Sequence, residues 1–258
     1  MKTIVADENE EYLAEAVAKF KAAKYPLALT GAGISVNSGI ADFRSAGGLW
    51  SIFSPEEYAT LKVFLHNPDK AWQLFRELGT CLIDKKPNIG HKALAQLEEN
   101  GLLRGLITQN VDNLHQIAGN KKVLEIHGDH QHLHCLQCSN TIQATADHFK
   151  GEHVPLCDLC NYPLKPNIVL FGEAVKSLEK IEQIIIQCDL LLVIGTSANV
   201  HPAAGLPALV HQRGGIIYEF NREQSLSSPG YHQSIPLTHY FFKGDLNSTL
   251  PRFAQAVL

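Results

Sequence analysis

Six short apolar runs recur along the chain: Pro26–Thr30, Leu102–Ile107, Val123–Ile126, Ile168–Phe171, Leu190–Ile194 and Ile216–Phe220. Near-continuous hydrophobicity over so few residues suits parallel strands covered on both faces. Between them the period changes. Residues 8–24 place Leu13, Ala16, Val17 and Phe20 at helical spacing, with Glu15 and Lys19 paired one turn apart. Ser54-Pro55-Glu56-Glu57 reads as a cap with proline at the first helical position, opening a helical stretch to Asp84. Within it Trp72, Phe75, Leu78, Gly79 and Leu82 recur every three or four residues over Pro68–Leu82. His91–Asn100 is a further helix, stopped by Gly101. Strands alternating with helices predict a doubly wound α/β domain.

Residues 128–164 break this rhythm. They are rich in Cys and His and poor in long apolar runs, and read as an inserted module. Cys135-x-x-Cys138 and Cys157-x-x-Cys160 are separated by 18 residues, the spacing of a four-thiolate ribbon. Four cysteines close a tetrahedron and leave no position for water, so one structural Zn²⁺ is expected. The neighbouring His130, His132 and His134 are then superfluous as ligands, and Cys81 and Cys188 read as small core fillers.

Composition narrows the class. With 258 residues, 45% of them hydrophobic, the chain can bury a large core. A net charge of −4 offers no field for nucleic acid, and Lys150 is the only Lys or Arg in the 128–164 segment. The N-terminal MKTIVADENEEYLAEAV lacks an apolar signal-peptide core, and no run reaches membrane-spanning length. We expect a cytoplasmic monomer that binds neither membrane nor nucleic acid.

The chemistry-bearing residues follow the strands. Gly31 and Gly33 turn the chain after Pro26–Thr30 and allow close approach to a phosphate, although Val36 replaces the third glycine of the dinucleotide fingerprint. Asp42-Phe43-Arg44 lies within a dozen residues of that turn. Thr108-Gln109-Asn110-Val111-Asp112 follows the next strand, and His127-Gly128 the one after. Gly195-Thr196-Ser197 and Asn221-Arg222-Glu223 end two more. Carboxyl ends of strands are where open α/β sheets bind ligands, so five such ends converge on one polar crevice. Histidine there suits a general base.

GAGIS, DFR, TQNVDNLH, EIHG, the two CxxC pairs, KPNIVLFGE and GTSANVHPAA stand in the order and spacing of the sirtuins. Over roughly residues 10 to 251 the chain resembles that family of NAD-dependent protein deacylases. The resemblance implies a Rossmann-like doubly wound parallel sheet in a large domain, 1–127 and 165–258, with a helical insertion at about 44–88 and a zinc-ribbon domain at 128–164. NAD would lie between the two domains. Gly31, Ala32, Gly33, Arg44, Thr196 and Ser197 would hold its pyrophosphate, and Asn221 and Glu223 the adenine side. Gln109, Asn110 and Asp112 would serve the nicotinamide ribose and carboxamide, with Phe43 shielding the anomeric face. Asp42, Trp50, Gly195, Arg222 and Leu246 complete the implied cofactor set. His127 would be the base, with Asn110 and Asp112 catalytic beside it. Ala46, Phe75, Leu78, Val169, Phe171, Gly172 and Glu173 would join His127 on the acyl-lysine side. The implied products are nicotinamide, 2′-O-acyl-ADP-ribose and free lysine. The stretch Ala46–Trp50 would touch both substrates and order with NAD.

Two departures matter. Ala174-Val175-Lys176 follows FGE where Leu-Pro is usual, which alters the substrate-side loop. AGGLW, HNP and FNRE look like the desuccinylase and demalonylase branch, yet Phe75 and Leu78 occupy its Tyr and Arg positions. A succinyl carboxylate facing them would be buried without a partner, at prohibitive cost. The expected substrates are therefore acetyl or longer aliphatic acyl groups. The alternatives are a mono-ADP-ribosyltransferase or NAD glycohydrolase on the same fold, and a zinc-ribbon binding module without catalysis.

Overall fold

The run Pro26–Thr30 is buried at every position and lies inside a seven-stranded sheet. The computed structural model describes residues 1–5, 8–42, 48–226 and 237–258. The chain runs through β1 (Lys2–Val5), α1 (Glu10–Ala22), β2 (Pro26–Thr30) and a 3₁₀ segment, Ala32–Ser38. Next come α2 (Pro55–Tyr58), α3 (Leu61–His66), α4 (Pro68–Leu82), α5 (Ile89–Glu99), β3 (Gly105–Thr108), α6 (Leu114–Ala118) and β4 (Val123–Glu125). The ribbon contributes β5 (Gly128–Cys135), β6 (Thr141–Gln143), α7 (Ala146–Lys150) and β7 (Leu164–Ile168). The remainder is α8 (Leu178–Ile185), β8 (Leu190–Ile194), α9 (Leu206–Gln212), β9 (Ile216–Asn221), β10 (Tyr240–Lys243) and α10 (Leu246–Val257).

All pairs in the large sheet are parallel, in the order β1-β10-β9-β8-β2-β3-β4. Side chains alternate between its faces. Leu190, Leu192 and Ile194 pack with Phe20 of α1, Leu94 of α5 and Phe253 of α10. Leu191 and Val193 pack with Ile181 of α8 and Val210 of α9. Both faces are thus covered by helices, which is why β8 contains no polar residue. Among the described residues no helix is long and apolar enough to cross a membrane.

A second lobe holds the antiparallel sheet β6-β5-β7. Its core is shared with the helical stretch: Phe64, Trp72 and Phe75 pack with Leu133, Cys135, Phe149, Cys157 and Leu164 in one cluster. Trp72 Nε1 donates to the Leu164 carbonyl at 2.8 Å, and Arg76 Nε to that of Gly151 at 2.6 Å. Helical insertion and ribbon therefore form one packed unit. At Gly79 a Cβ would stand 2.3 Å from the Phe149 ring. Gly79→Ala is expected to cost about 1–3 kcal/mol through overpacking. A denaturation midpoint unchanged from the parent would contradict that α4–α7 contact.

Three sequence expectations are corrected here. The run Ile168–Phe171 is no strand of the parallel sheet. Only Ile168 is in a strand, β7 of the small sheet, and Phe171 bridges to Thr60. Ile168 and Leu170 are buried against the second lobe, which hydrophobicity alone does not distinguish from a parallel core strand. The strand expected from Leu102 starts at Gly105, because the Leu102 and Leu103 amides close the end of α5 on the Leu97 carbonyl. Cys188 is buried as expected, but Cys81 is exposed, its Sγ donating to Glu77 Oε1 at 3.6 Å.

Candidate active site

A cleft of about 1020 Å³ runs along the carboxyl ends of β2, β3, β8 and β9. Its floor is a close contact between two turns. Gly31 and Gly33 face Gly195 so tightly that a Cβ on either would stand 2.8 Å from that residue. Gly195 itself has φ +58°, the left-handed region that suits glycine. Gly31 N donates to Ile194 O and Gly33 N to Gly195 O, locking the turns together. Thr196 is buried between Gln109, whose Nε2 donates to Thr196 Oγ1 at 2.9 Å, and Asn221, whose Nδ2 donates to its carbonyl at 3.1 Å.

The structure brings together most of the expected cofactor set. Gly31, Ala32, Gly33, Asp42, Trp50, Gln109, Asn110, Gly195, Thr196, Ser197, Asn221, Arg222, Glu223 and Leu246 all line the cleft. Asp112 stands behind Asn110, buried rather than on the wall. Phe43, Arg44 and Ala46 lie outside the described residues. Asp245 also lines the cleft; its carboxylate accepts Asn37 Nδ2 at 2.7 Å and Arg222 Nη2 at 3.2 Å while capping α10.

Behind the wall lies a network whose proton directions follow from its ends. The Asn88 amide donates to His91 Nδ1, so His91 carries its proton on Nε2, 3.4 Å from Ser35 Oγ. Ser35 Oγ also accepts Asn110 Nδ2 at 3.1 Å, and its own proton goes to Asp112 Oδ2 at 2.6 Å. Leu114 N holds the other oxygen of Asp112 at 3.0 Å. One serine thus orients the two groups expected to be catalytic. Burial pushes His91 down to about 4, against the pull of Asp112, so it stays neutral here. In the sequence Ser35 is the last residue of GAGIS and His91 the start of a helical stretch, and nothing in linear spacing points to their meeting.

His127 stands half-buried on the same wall. Its Nδ1 lies 3.0 Å from the Gln109 carbonyl, which can only accept, so Nδ1 bears the proton and Nε2 the lone pair. Nε2 has no hydrogen-bond partner among the described residues. Burial holds the imidazole below its ordinary pKa, opposed by the bond to Gln109.

The other end of the cleft is apolar, lined by Leu49, Trp50, Ala59, Leu74, Leu78, Ile168 and Leu170. Val169, Phe171, Gly172, Glu173 and Val175 border it. Phe75 does not reach the wall. It is fully buried with its ring edge-on to Trp72 at 5.6 Å, and Leu74, one helical step away, takes the lining position.

The four ribbon cysteines converge at a distance from this chemistry. Each CxxC turn repeats one geometry, with Ser139 N donating to Cys135 O and Asn161 N to Cys157 O, each at a left-handed residue. The Sγ atoms all lie within 4.8 Å of one another, with Cys135–Cys160 at 3.4 Å and Cys138–Cys157 at 3.5 Å. Zn–S bonds of about 2.3 Å in a tetrahedron require edges of about 3.8 Å, so the cluster fits zinc. The Leu159 amide, working against burial, pulls Cys157 down to about 6. Although the Tyr162 amide lowers it, burial and the thiols of Cys135, Cys138 and Cys157 push Cys160 up to about 12. A divalent cation would remove that repulsion between thiolates. His130 turns instead to the Val111 carbonyl, His132 to Asp129 and His134 to Thr141.

A parallel sheet with a glycine-floored, ribose-competent cleft at its strand ends, joined to a closed four-thiolate ribbon, defines a dinucleotide-binding protein with a structural metal module. The Sir2 family model matches residues 31–202, and the chain belongs to that family. It is 40% identical over 208 residues to NAD-dependent protein deacylase 1 of Archaeoglobus fulgidus, covering 80% of this chain and 84% of that one. A solved Sir2 homolog–NAD complex superimposes with TM-score 0.85 at 36% identity, covering 97% of this chain and 94% of that one. A Sir2–p53 peptide–NAD⁺ structure gives TM-score 0.79 at 32% identity, covering 94% and 95%.

Proposed function

We propose that this protein is an NAD-dependent protein-lysine deacylase acting on acetyl or longer aliphatic acyl groups. The observation that carries the reading is His127: a neutral imidazole lining the cleft, whose proton is committed to a carbonyl and whose Nε2 has no hydrogen-bond partner among the described residues. That is the form a general base must take before it can remove a proton from a sugar hydroxyl. The cleft fits NAD. Its glycine floor packs two strand-end turns closer than a Cβ on Gly31 or Gly33 would allow, exposing backbone rather than side chain to a phosphate, and its volume of about 1020 Å³ stands at the top of the range for ligand sites.

When bound, NAD would supply the electrophile, its anomeric carbon. The protein's residues do the rest. Asn110 and Asp112, oriented by Ser35, hold the carboxamide end. Asn221 and Glu223 take the adenosine end, with Gly31, Gly33 and Thr196 along the pyrophosphate. His127, with a lone pair on Nε2, would be the group that accepts a proton from a ribose hydroxyl. The cysteines hold zinc away from these steps and keep the second lobe folded. An acylated lysine would enter past Val169–Glu173, its backbone pairing as an added strand.

Acyl preference follows from the far end. Among the described residues of the cleft, Arg222 is the one Lys or Arg, and it pairs with Asp245 at the N-terminus of α10. Leu74 and Leu78 offer neither a cation nor a donor to a succinyl carboxylate. The scaffold resembles the desuccinylase branch, but its acyl pocket is neutral. A panel of acyl-lysine peptides with NAD, read by mass spectrometry, should give acetyl or fatty-acyl turnover at least about tenfold above succinyl. Faster desuccinylation overturns the preference. Free ADP-ribose or ADP-ribosylated protein, without acyl-ADP-ribose, overturns the deacylase reading itself.

A further inference from the structure

The stretch 168–173 lines the cleft where the peptide would lie, yet it belongs to no strand beyond Ile168. What shapes it is a buried ion pair outside the catalytic network. Lys165 on β7 is 1% exposed. Its ammonium donates to the carbonyls of Ile168 at 2.6 Å and Pro166 at 3.1 Å, and meets Glu173 Oε2 at 3.2 Å. Those three contacts use every donor that an ammonium has. The same Glu173 oxygen accepts the Leu170 amide at 3.0 Å, and Glu173 N closes the loop on Leu170 O at 2.9 Å.

We propose that Lys165 and Glu173 form a positioning clamp that presents the 168–172 wall to the acyl-lysine peptide; this rests on the deacylase reading above. A buried pair is a poor means of adding stability, since apolar residues of equal volume serve as well or better. Its geometry points to a different role. The ammonium draws the Ile168 carbonyl inward and Glu173 draws the Leu170 amide inward. Val169 N is spent on the His127 carbonyl at 2.8 Å, so the clamp also steadies the backbone that carries the base. On the far side Phe171 pairs with Ala59 and Leu61, tying the wall to the helical insertion. Ile168 and Leu170 are thereby buried, while Phe171, 46% exposed, is turned outward where a peptide would pass.

The test replaces both charges by apolar residues, Lys165→Met/Glu173→Met, in the full-length zinc-loaded protein. Lys165→Met alone would leave Glu173 buried and unpaired, so the double variant carries the test if the single one fails to fold. The expected result is a peptide KM raised about tenfold or more, with the Kd for ADP-ribose changed less than about twofold. Hydrogen exchange at the Leu170 amide should quicken about tenfold, because its acceptor is gone. A peptide KM within twofold of the parent, or equal losses of ADP-ribose and peptide affinity, overturns the clamp. The parent's turnover of acyl peptide is measured alongside. Its absence would sink the deacylase reading, and unchanged Leu170 exchange in the variant would then still refute the clamp.

Discussion

Cys157→Ser protein is expected to purify without stoichiometric zinc and to lose the whole second lobe, not the ribbon alone. Structural zinc contributes an apparent 10–16 kcal/mol or so to the folding of such modules, more than a domain's usual net stability. Cys135 and Cys157 are themselves part of the cluster that buries Trp72 and Phe75, so their displacement opens the core that α4 shares with β5 and β7. Trp72 is fully buried, and its indole should become wet, shifting tryptophan emission to the red. The large sheet has its own two apolar layers and should persist as helix-and-strand circular dichroism. Metal analysis by mass spectrometry, fluorescence and circular dichroism check the three statements separately. Cys81→Ser, at an exposed position, serves as the control and should leave all three unchanged. Native emission from a metal-free Cys157→Ser protein would refute the shared core.

Such coupling is not visible in the sequence, where helical insertion (about 44–88) and ribbon (128–164) stand some 40 residues apart and look like separate additions. What was legible follows a simple rule. β2 and β8 are flanked by polar punctuation and buried on both faces, so their apolar runs coincide with the strands. Pro68 at the first position and the spacing of Trp72, Phe75 and Leu82 likewise delimit α4. The thiolate ribbon was legible because metal ligation imposes fixed spacing on the chain. Tertiary context decided the rest. Ile168–Phe171 carries the hydrophobicity of a parallel strand but obeys Lys165 and Glu173. Leu74 and Phe75 differ by about 100° on a helix, and no residue pattern says which of the two meets a cleft formed by another lobe. The strand β10 and helix α10 lie outside the expected runs, although Phe242 and Phe253 pack into the main core. The Ser35–His91–Asp112 contact joins residues 56 and 77 positions apart through polar groups, which leave no periodic trace.

His127→Ala should lower kcat/KM for an acyl-lysine peptide by about 10²–10⁴-fold, the usual contribution of a positioned general base. Binding of ADP-ribose should survive, because the glycine floor and Thr196 make no use of the imidazole. The pH profile tests the same assignment by a second route. A base acts in its neutral form, and burial holds His127 below the ordinary value of 6.5 against the raising effect of the Gln109 carbonyl. The depressed pKa moves the acid limb of kcat/KM to below 6.5, so the rate stays level from there through neutrality and falls as pH drops further. An acid limb centred above 6.5 would show the imidazole to be stabilised as a cation, against the buried tautomer derived from Gln109. Retention of more than about a tenth of the parental rate by His127→Ala would remove it as the base and leave the proton to another group of the cleft. The combination expected of a base is specific: a large loss on substitution, a limb displaced to acid, and cofactor affinity that changes with neither.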